Sequence, residues 1–235
     1  MAIHEKLRAA VDGQRGLAAA DSICEACVTL FSIDAAAISL IFAGVTSGTL
    51  GSSGASARMY DELQFTFGEG PCLDSVASRN PVLVADLANA NDVRWPAYSP
   101  AMLEHQIRGI FAIPVVLAGE YVGALDLFRT KPGELHADHL AGAIVAAELA
   151  GIPLLDLMDS DLQAAVNEPD SDAWAELNAL SRTEVSQATG MLVAQLGVEP
   201  AEALVRLRAH AYATSRSATD VARDILDRRL RLDAD

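Results

Sequence analysis

Two apolar runs, Gly109 to Val116 and Tyr121 to Phe128, are separated only by Leu117-Ala118-Gly119-Glu120. A connection that short suits a hairpin and falls well below what a parallel crossover needs, so the pair predicts neighbouring antiparallel strands. A second hairpin is expected upstream, from a strand-like Ala37 to Phe42, a turn at Ala43-Gly44 and an extended segment near Val45 to Gly51. Pro81 to Val84 supplies a short strand between the hairpins. Around them lie helical patterns. Leu17, Ala20, Ile23, Cys24, Cys27, Val28 and Phe31 recur at spacings of three and four within Gly16 to Phe31. Ala137 to Met158 shows the same period through Leu140, Ala143, Ile144, Ala147, Leu149 and Leu154, with an interruption at Pro153. Helix, hairpin, strand, hairpin, helix describes an α+β domain over residues 1–158.

Beyond it the composition changes. Asp159, Asp161, Glu168, Pro169, Asp170 and Asp172 mark residues 159–172 as an acidic linker. Residues 173–235 then read as an all-α three-helix module. A helix runs from Ala173 to Leu196 and stops at Gly197, a second opens at Pro200 and buries Ala203, Leu204, Leu207 and Ala211, and Ser217 with Asp220 caps a third extending to Leu230.

The 235 residues are 51% apolar, ample for a real core, and carry a formal charge of -15. That charge is opposite to what coats nucleic acid indiscriminately, so any RNA contact must be local. Its distribution leaves room for one. Residues 1–180 hold nine basic against twenty-four acidic side chains, whereas residues 181–232 hold eight Arg, no Lys and six acids. Forked guanidinium donors suit phosphates and base edges; the same arginines also suit i to i+4 pairs with their acidic neighbours.

Several chemistries are disfavoured. Cys24-Glu-Ala-Cys27 has CxxC spacing but lies on an apolar helix face without a second ligand pair, and His136 with His139 finds no clear third ligand, so no metal site is expected. No GxSxG elbow, Walker loop or HExxH occurs, and no enzyme is expected. Cys72, following Pro71 at a helix start, is the one candidate for thiol sensing; a buried structural cysteine is the alternative. Met1 to Leu7 lacks the pattern of a signal peptide, and the charge-free Ala35 to Ala57 is too rich in Gly, Ser and Thr for a membrane span, so a cytoplasmic location with no membrane partner is expected.

Arg182-Thr-Glu-Val-Ser-Gln-Ala-Thr-Gly-Met-Leu192, then Gly197-Val198, Glu202-Ala203, Leu207-Arg208-Ala209 and Asp220-Val221-Ala222, closely resemble the ANTAR pattern across its three helices. The resemblance implies an RNA-binding antiterminator acting on stem-loops in nascent transcripts. Matching positions are Arg182, Gln187, Ala188, Gly190, Met191, Arg208 and Ala222; Thr189 stands where many members have Lys. Phe67-Gly-Glu-Gly-Pro-Cys72, Pro81 to Asp86 and Tyr121 to Leu127 resemble GAF domains, which implies an antiparallel sheet flanked by helices that senses a small molecule or signal. These motifs specify fold rather than ligand, so no cofactor is assigned.

RNA contact is therefore expected at Arg182, Gln187, Ala188, Thr189, Gly190, Arg206, Arg208 and Arg223. Ala188 and Gly190 lack bulk, which lets either RNA or a neighbouring helix come close, while Met191 and Leu192 are expected in the core. A homodimer is expected through a stripe including Trp174, Leu177, Leu180 and Ser181. Two other readings are a sensor whose C-terminal helices serve only dimerisation or protein contact, and an enzyme using Cys72 in the manner of GAF-fold methionine sulfoxide reductases.

Overall fold

A computed structural model describes residues 3–42, 44–157 and 182–233. In chain order the front part comprises α1 (Ile3–Val11), α2 (Gly16–Phe31), β1 (Ala35–Phe42), β2 (Val45–Ser52), α3 (Ala55–Phe67), α4 (Pro71–Ser78), β3 (Val82–Val84), α5 (Tyr98–Glu104), β4 (Gly109–Leu117), β5 (Glu120–Arg129) and α6 (Ala137–Leu149). The strands form one sheet in the order β2-β1-β5-β4-β3, antiparallel at every pairing. Both expected hairpins are present, and β1 and β5 join them at the centre, with Ala36 opposite Leu127 and Ile38 opposite Leu125. β1 starts two residues before the sequence-based expectation because Ala35 and Ala36 already pair with Phe128 and Leu127.

The strands bury both faces. Ile38, Phe111, Ile113, Leu125 and Leu127 pack with Ile23, Cys27 and Phe31 of α2 and Ala143 and Ala146 of α6. Their neighbours Ala37, Ile110 and Phe128 point the other way, towards Tyr60 of α3, Trp95, and Tyr98 and Met102 of α5. This two-residue alternation between two apolar layers is why β4 and β5 read as continuous apolar runs.

Helices α1, α3 and α5 are absent from the expected element order and complete the two outer layers. The segment Ala137–Leu157 is long and apolar enough to cross a membrane by length and composition. Its Ala143, Ala146, Ala147 and Ala150 are buried in the sheet core. Its interruption falls at Ala150 rather than at Pro153, because the missing Pro153 N–H leaves the preceding turn without its hydrogen bond.

The C-terminal part forms α7 (Thr183–Leu196), α8 (Pro200–Ala213) and α9 (Ala218–Leu226). Gly197 ends α7 with a φ of 67°, Pro200 occupies the first turn of α8, and Ser217 Oγ accepts from the Asp220 amide at 3.0 Å to cap α9. α9 stops at Leu226, short of the expected Leu230. Arg228 turns left-handed at φ 58°, and the amides of Arg229 and Leu230 both fold back to the Asp224 carbonyl. The acidic linker, Trp174, Leu177, Leu180 and Ser181 lie outside the described residues.

Candidate functional site

Val185, Ala188 and Leu192 of α7 pack with Ala203, Leu207 and Ala211 of α8 and Val221, Ala222 and Ile225 of α9. Small residues at the crossings let the three helices approach closely. One further member of this core comes from the sheet domain: Phe65 of α3, which is 4% exposed. The module thus sits on α3, and its arginines divide into two groups.

Arg182 and Arg208 belong to the seam. The Arg182 guanidinium carbon lies 4.2 Å from the Phe65 ring centroid and that of Arg208 lies 4.6 Å from it. Arg182 Nη2 donates to Asp61 Oδ2 at 3.2 Å, and Nη1 pairs with Glu62 Oε2. Burial, opposed by the Asp61 charge, pulls the Arg182 pKa down. Burial and then the Arg182 charge push Arg208 down to about 10. Nε of both arginines is buried and, among the described residues, without a hydrogen-bond partner. Glu62 also accepts from the amide and hydroxyl of Thr219, at 3.3 and 2.8 Å, while Thr66 Oγ1 accepts from the Ala218 amide at 3.1 Å. The first turn of α9 is therefore capped by side chains of α3 as well as by Ser217.

The other expected contact residues lie elsewhere on the module. Gln187 and Gly190 are exposed on α7, and Met191, expected in the core, is 37% exposed beside them. Ala188 is buried in the bundle, where its small side chain packs against neighbouring helices. Thr189 turns its hydroxyl back onto the Val185 carbonyl at 2.7 Å. Arg206 pairs with Glu202 at 2.8 Å, and the exposed Arg223 bridges Glu184 and Asp220. Arg228 and Arg231 are exposed and, among the described residues, meet no carboxylate.

Beneath the seam lies a buried polar cluster that the sequence reading missed. Asp61 accepts from the hydroxyls of Ser39 and Thr49 as well as from Arg182. Ser39 Oγ also lies 3.1 Å from Asp126 Oδ2, which accepts from Gln64 Nε2 at 2.9 Å; Gln64 Oε1 in turn accepts from the Cys72 amide. Burial, then the Asp61 charge, pushes the Asp126 carboxyl up to about 8. A hydroxyl has one hydrogen, and Ser39 gives it to Asp61, the carboxylate that also takes Arg182. A protonated Asp126 then supplies the hydrogen on its own side, giving a chain Asp126–Ser39–Asp61–Arg182 from sheet to helical module. One signal was visible: Asp126 is the lone charge within the apolar Tyr121 to Phe128 run.

Cys72 is fully buried at the second position of α4, against Ile41 and Ala124, the opposite of the solvent access that favours thiol chemistry. Cys24 and Cys27 are buried core residues whose thiols are pushed up by burial, Cys27 to about 12. His136 and His139 stand 6.1 Å apart between ring centroids, with His139 against Phe31. A cleft of about 760 Å³ opens along the seam, lined by Met59, Leu63 and Phe67 from α3 and by Tyr212 and Arg216 from the helical module.

Comparison with known proteins divides the chain at the same place. Residues 18–154 match the GAF domain family, and residues 176–226 match the ANTAR domain family. No curated protein matches the chain. Among solved structures, the GAF domain of a phosphoenolpyruvate-protein phosphotransferase from Coxiella burnetii is similar at 19% identity and a TM-score of 0.51, over 69% of this chain and 95% of that one. Its Acinetobacter counterpart is similar at 8% identity and a TM-score of 0.52, over 67% and 93%. A free methionine-R-sulfoxide reductase from Neisseria meningitidis, solved with its substrate, is similar at 14% identity and a TM-score of 0.50, over 66% and 87%. At these identities the likeness is one of fold.

Proposed function

Since the chain belongs to the GAF domain family and carries an ANTAR domain behind it, we propose that it is a signal-responsive antiterminator, its GAF domain sensing a ligand and its C-terminal helices binding RNA stem-loops. Gly190 carries this reading. A glycine inside a helix costs about 1 kcal/mol relative to alanine. Yet among the described residues nothing lies within 4 Å of where a Cβ at Gly190 would stand, so their packing does not require it. Ala188, by contrast, is explained by its place in the core. A partner that approaches the α7 backbone closely accounts for Gly190, and a splayed RNA loop with phosphates on Arg206 and Arg223 is such a partner.

In this reading Gln187, Thr189, Gly190, Arg206 and Arg223 form the open part of the RNA surface, and Arg182 and Arg208 the part lying against α3. Residues 1–158 are the sensor, 159–172 the linker and 173–235 the RNA-binding domain. The protein is a cytoplasmic regulator rather than an enzyme, and a second copy is its protein partner. Ile144, Ile152 and Leu155, exposed along the outer side of the helical stretch, support the pairing.

The test is binding of the full chain to hairpin RNAs recovered by crosslinking in its own cells. A folded hairpin is expected to bind better than its unpaired permutation and to weaken with salt, the salt slope falling by about one for each of Arg206→Ala and Arg223→Ala. Equal binding of folded and unpaired RNA, or no binding, leaves the C-terminal helices with a protein-contact role and refutes the proposal.

A further inference from the structure

We propose that α3 of the GAF domain acts as a built-in phosphate mimic: Asp61 and Glu62 occupy an RNA-phosphate site made by Arg182, Arg208 and the first turn of α9, so that RNA and α3 compete for one surface. The inference rests on the RNA-binding reading and specifies how that surface is regulated.

The chemistry of the seam is that of an anion site. Glu62 gathers the Arg182 guanidinium, the Thr219 amide and the Thr219 hydroxyl, the donor set a phosphate oxygen takes at a helix N-terminus beside an arginine. Asp61 takes the other edge of the same guanidinium. Phe65 supplies an aromatic face for both arginines, as an unstacked base does. The fit extends to the backbone: Gly68, at φ 69° past the end of α3, leaves the room in which Arg208 lies, since a Cβ there would stand 3.1 Å from Arg208 Nη1.

The seam is also built to open. Two like charges share one ring, each with a buried Nε that finds no acceptor among the described residues, so docking leaves donors that a phosphate backbone would satisfy. Arg182 is held at φ 42° and ψ 51°, a left-handed backbone disfavoured for a residue with a Cβ. The apolar period of the sequence runs unbroken from Ala173 to Leu196, and a continuous helix cannot contain that conformation. Undocking lets Arg182 enter the helix. The sensor reaches the seam through Asp61, whose other partners, Ser39 and Thr49, lie inside the GAF sheet beside Asp126. A ligand that rearranges this cluster changes what Asp61 offers Arg182, and RNA affinity then scales with the undocked fraction.

The decisive variant is Glu62→Gln in the full chain, which removes the anion, keeps the side-chain shape and alters a position at the edge of the seam. Amide hydrogen exchange at Ala218 and Thr219, whose N–H groups bond to Thr66 and Glu62, reports docking; anisotropy with the crosslinked hairpin reports RNA. Faster exchange together with about tenfold tighter hairpin binding is expected, the order that one charge-assisted hydrogen bond supplies. Faster exchange with unchanged affinity overturns the competition and leaves RNA binding standing. Unchanged exchange overturns the role given to Glu62. No hairpin binding by either protein overturns the RNA reading and the competition with it.

Discussion

Asp126→Asn is expected to stabilise the protein at neutral pH and to flatten its stability against pH. The buried Asp126 carboxyl is pushed from its ordinary value of 3.8 up to about 8, chiefly by burial. Between those values the folded chain holds a proton that the unfolded chain releases, so stability falls as pH rises through the window and levels off above about 8. One unit is worth about 1.36 kcal/mol, so the penalty at pH 7 reaches about 4 kcal/mol as an upper bound. Asparagine removes the ionisable group at nearly the same size; because Ser39 and Gln64 both meet Oδ2, its Nδ2 in that place donates to Ser39 Oγ and leaves the Gln64 amide unpaired, a loss of about 1 kcal/mol set against the larger penalty removed. The assay is urea unfolding of wild type and variant at five pH values from 5 to 9, scored at constant m. A wild-type midpoint that falls with pH and a variant midpoint that falls less are expected. Parallel profiles, or a variant less stable than wild type at pH 8, would refute the placement of a proton on Asp126.

Two further substitutions probe the framework. Gly51→Ala places a Cβ 2.6 Å from the Ala20 backbone where α2 crosses β2, and is expected to cost about 2 kcal/mol in urea unfolding; a neutral result would mean that α2 shifts freely over the sheet. Ser217→Ala removes the cap on the Asp220 amide, and should lower stability by about 1 kcal/mol and quicken amide exchange in the first turn of α9; no change in either would mean that α3 alone caps that helix.

What the sequence disclosed follows from which signals are local. The hairpin over 109–128, the C-terminal end of α7 and the starts of α8 and α9 were legible because short connections, Gly197, Pro200 and Ser217 act within a few residues of themselves. Helix α3 was not, because three of its inward positions are Asp61, Gln64 and Thr66, and a buried face with polar members shows no apolar period. The ANTAR positions were readable as a list but not as a surface. That Arg182 lies under α3 while Gln187 stands clear depends on a packing between residues more than a hundred positions apart. Ala188 and Gly190 looked alike as small residues, and only the surroundings of each separate core packing from an open face.

The pairing of β1 with β5 also sets a timetable. The central pair of the sheet joins residues 35–40 to residues 123–128, so a growing chain cannot close the sheet until β5 has left the ribosome. Helices α7 to α9 follow later and, apart from their contact with α3, are held by neighbours near in sequence, a topology that folds fast once made. Domains fold in order of synthesis, so α3 is seated on a finished sheet before Arg182 is translated. The helical module thus completes its core on a surface already in place, with Phe65 waiting as one of its members, and each new molecule leaves the ribosome with Arg182 and Arg208 engaged.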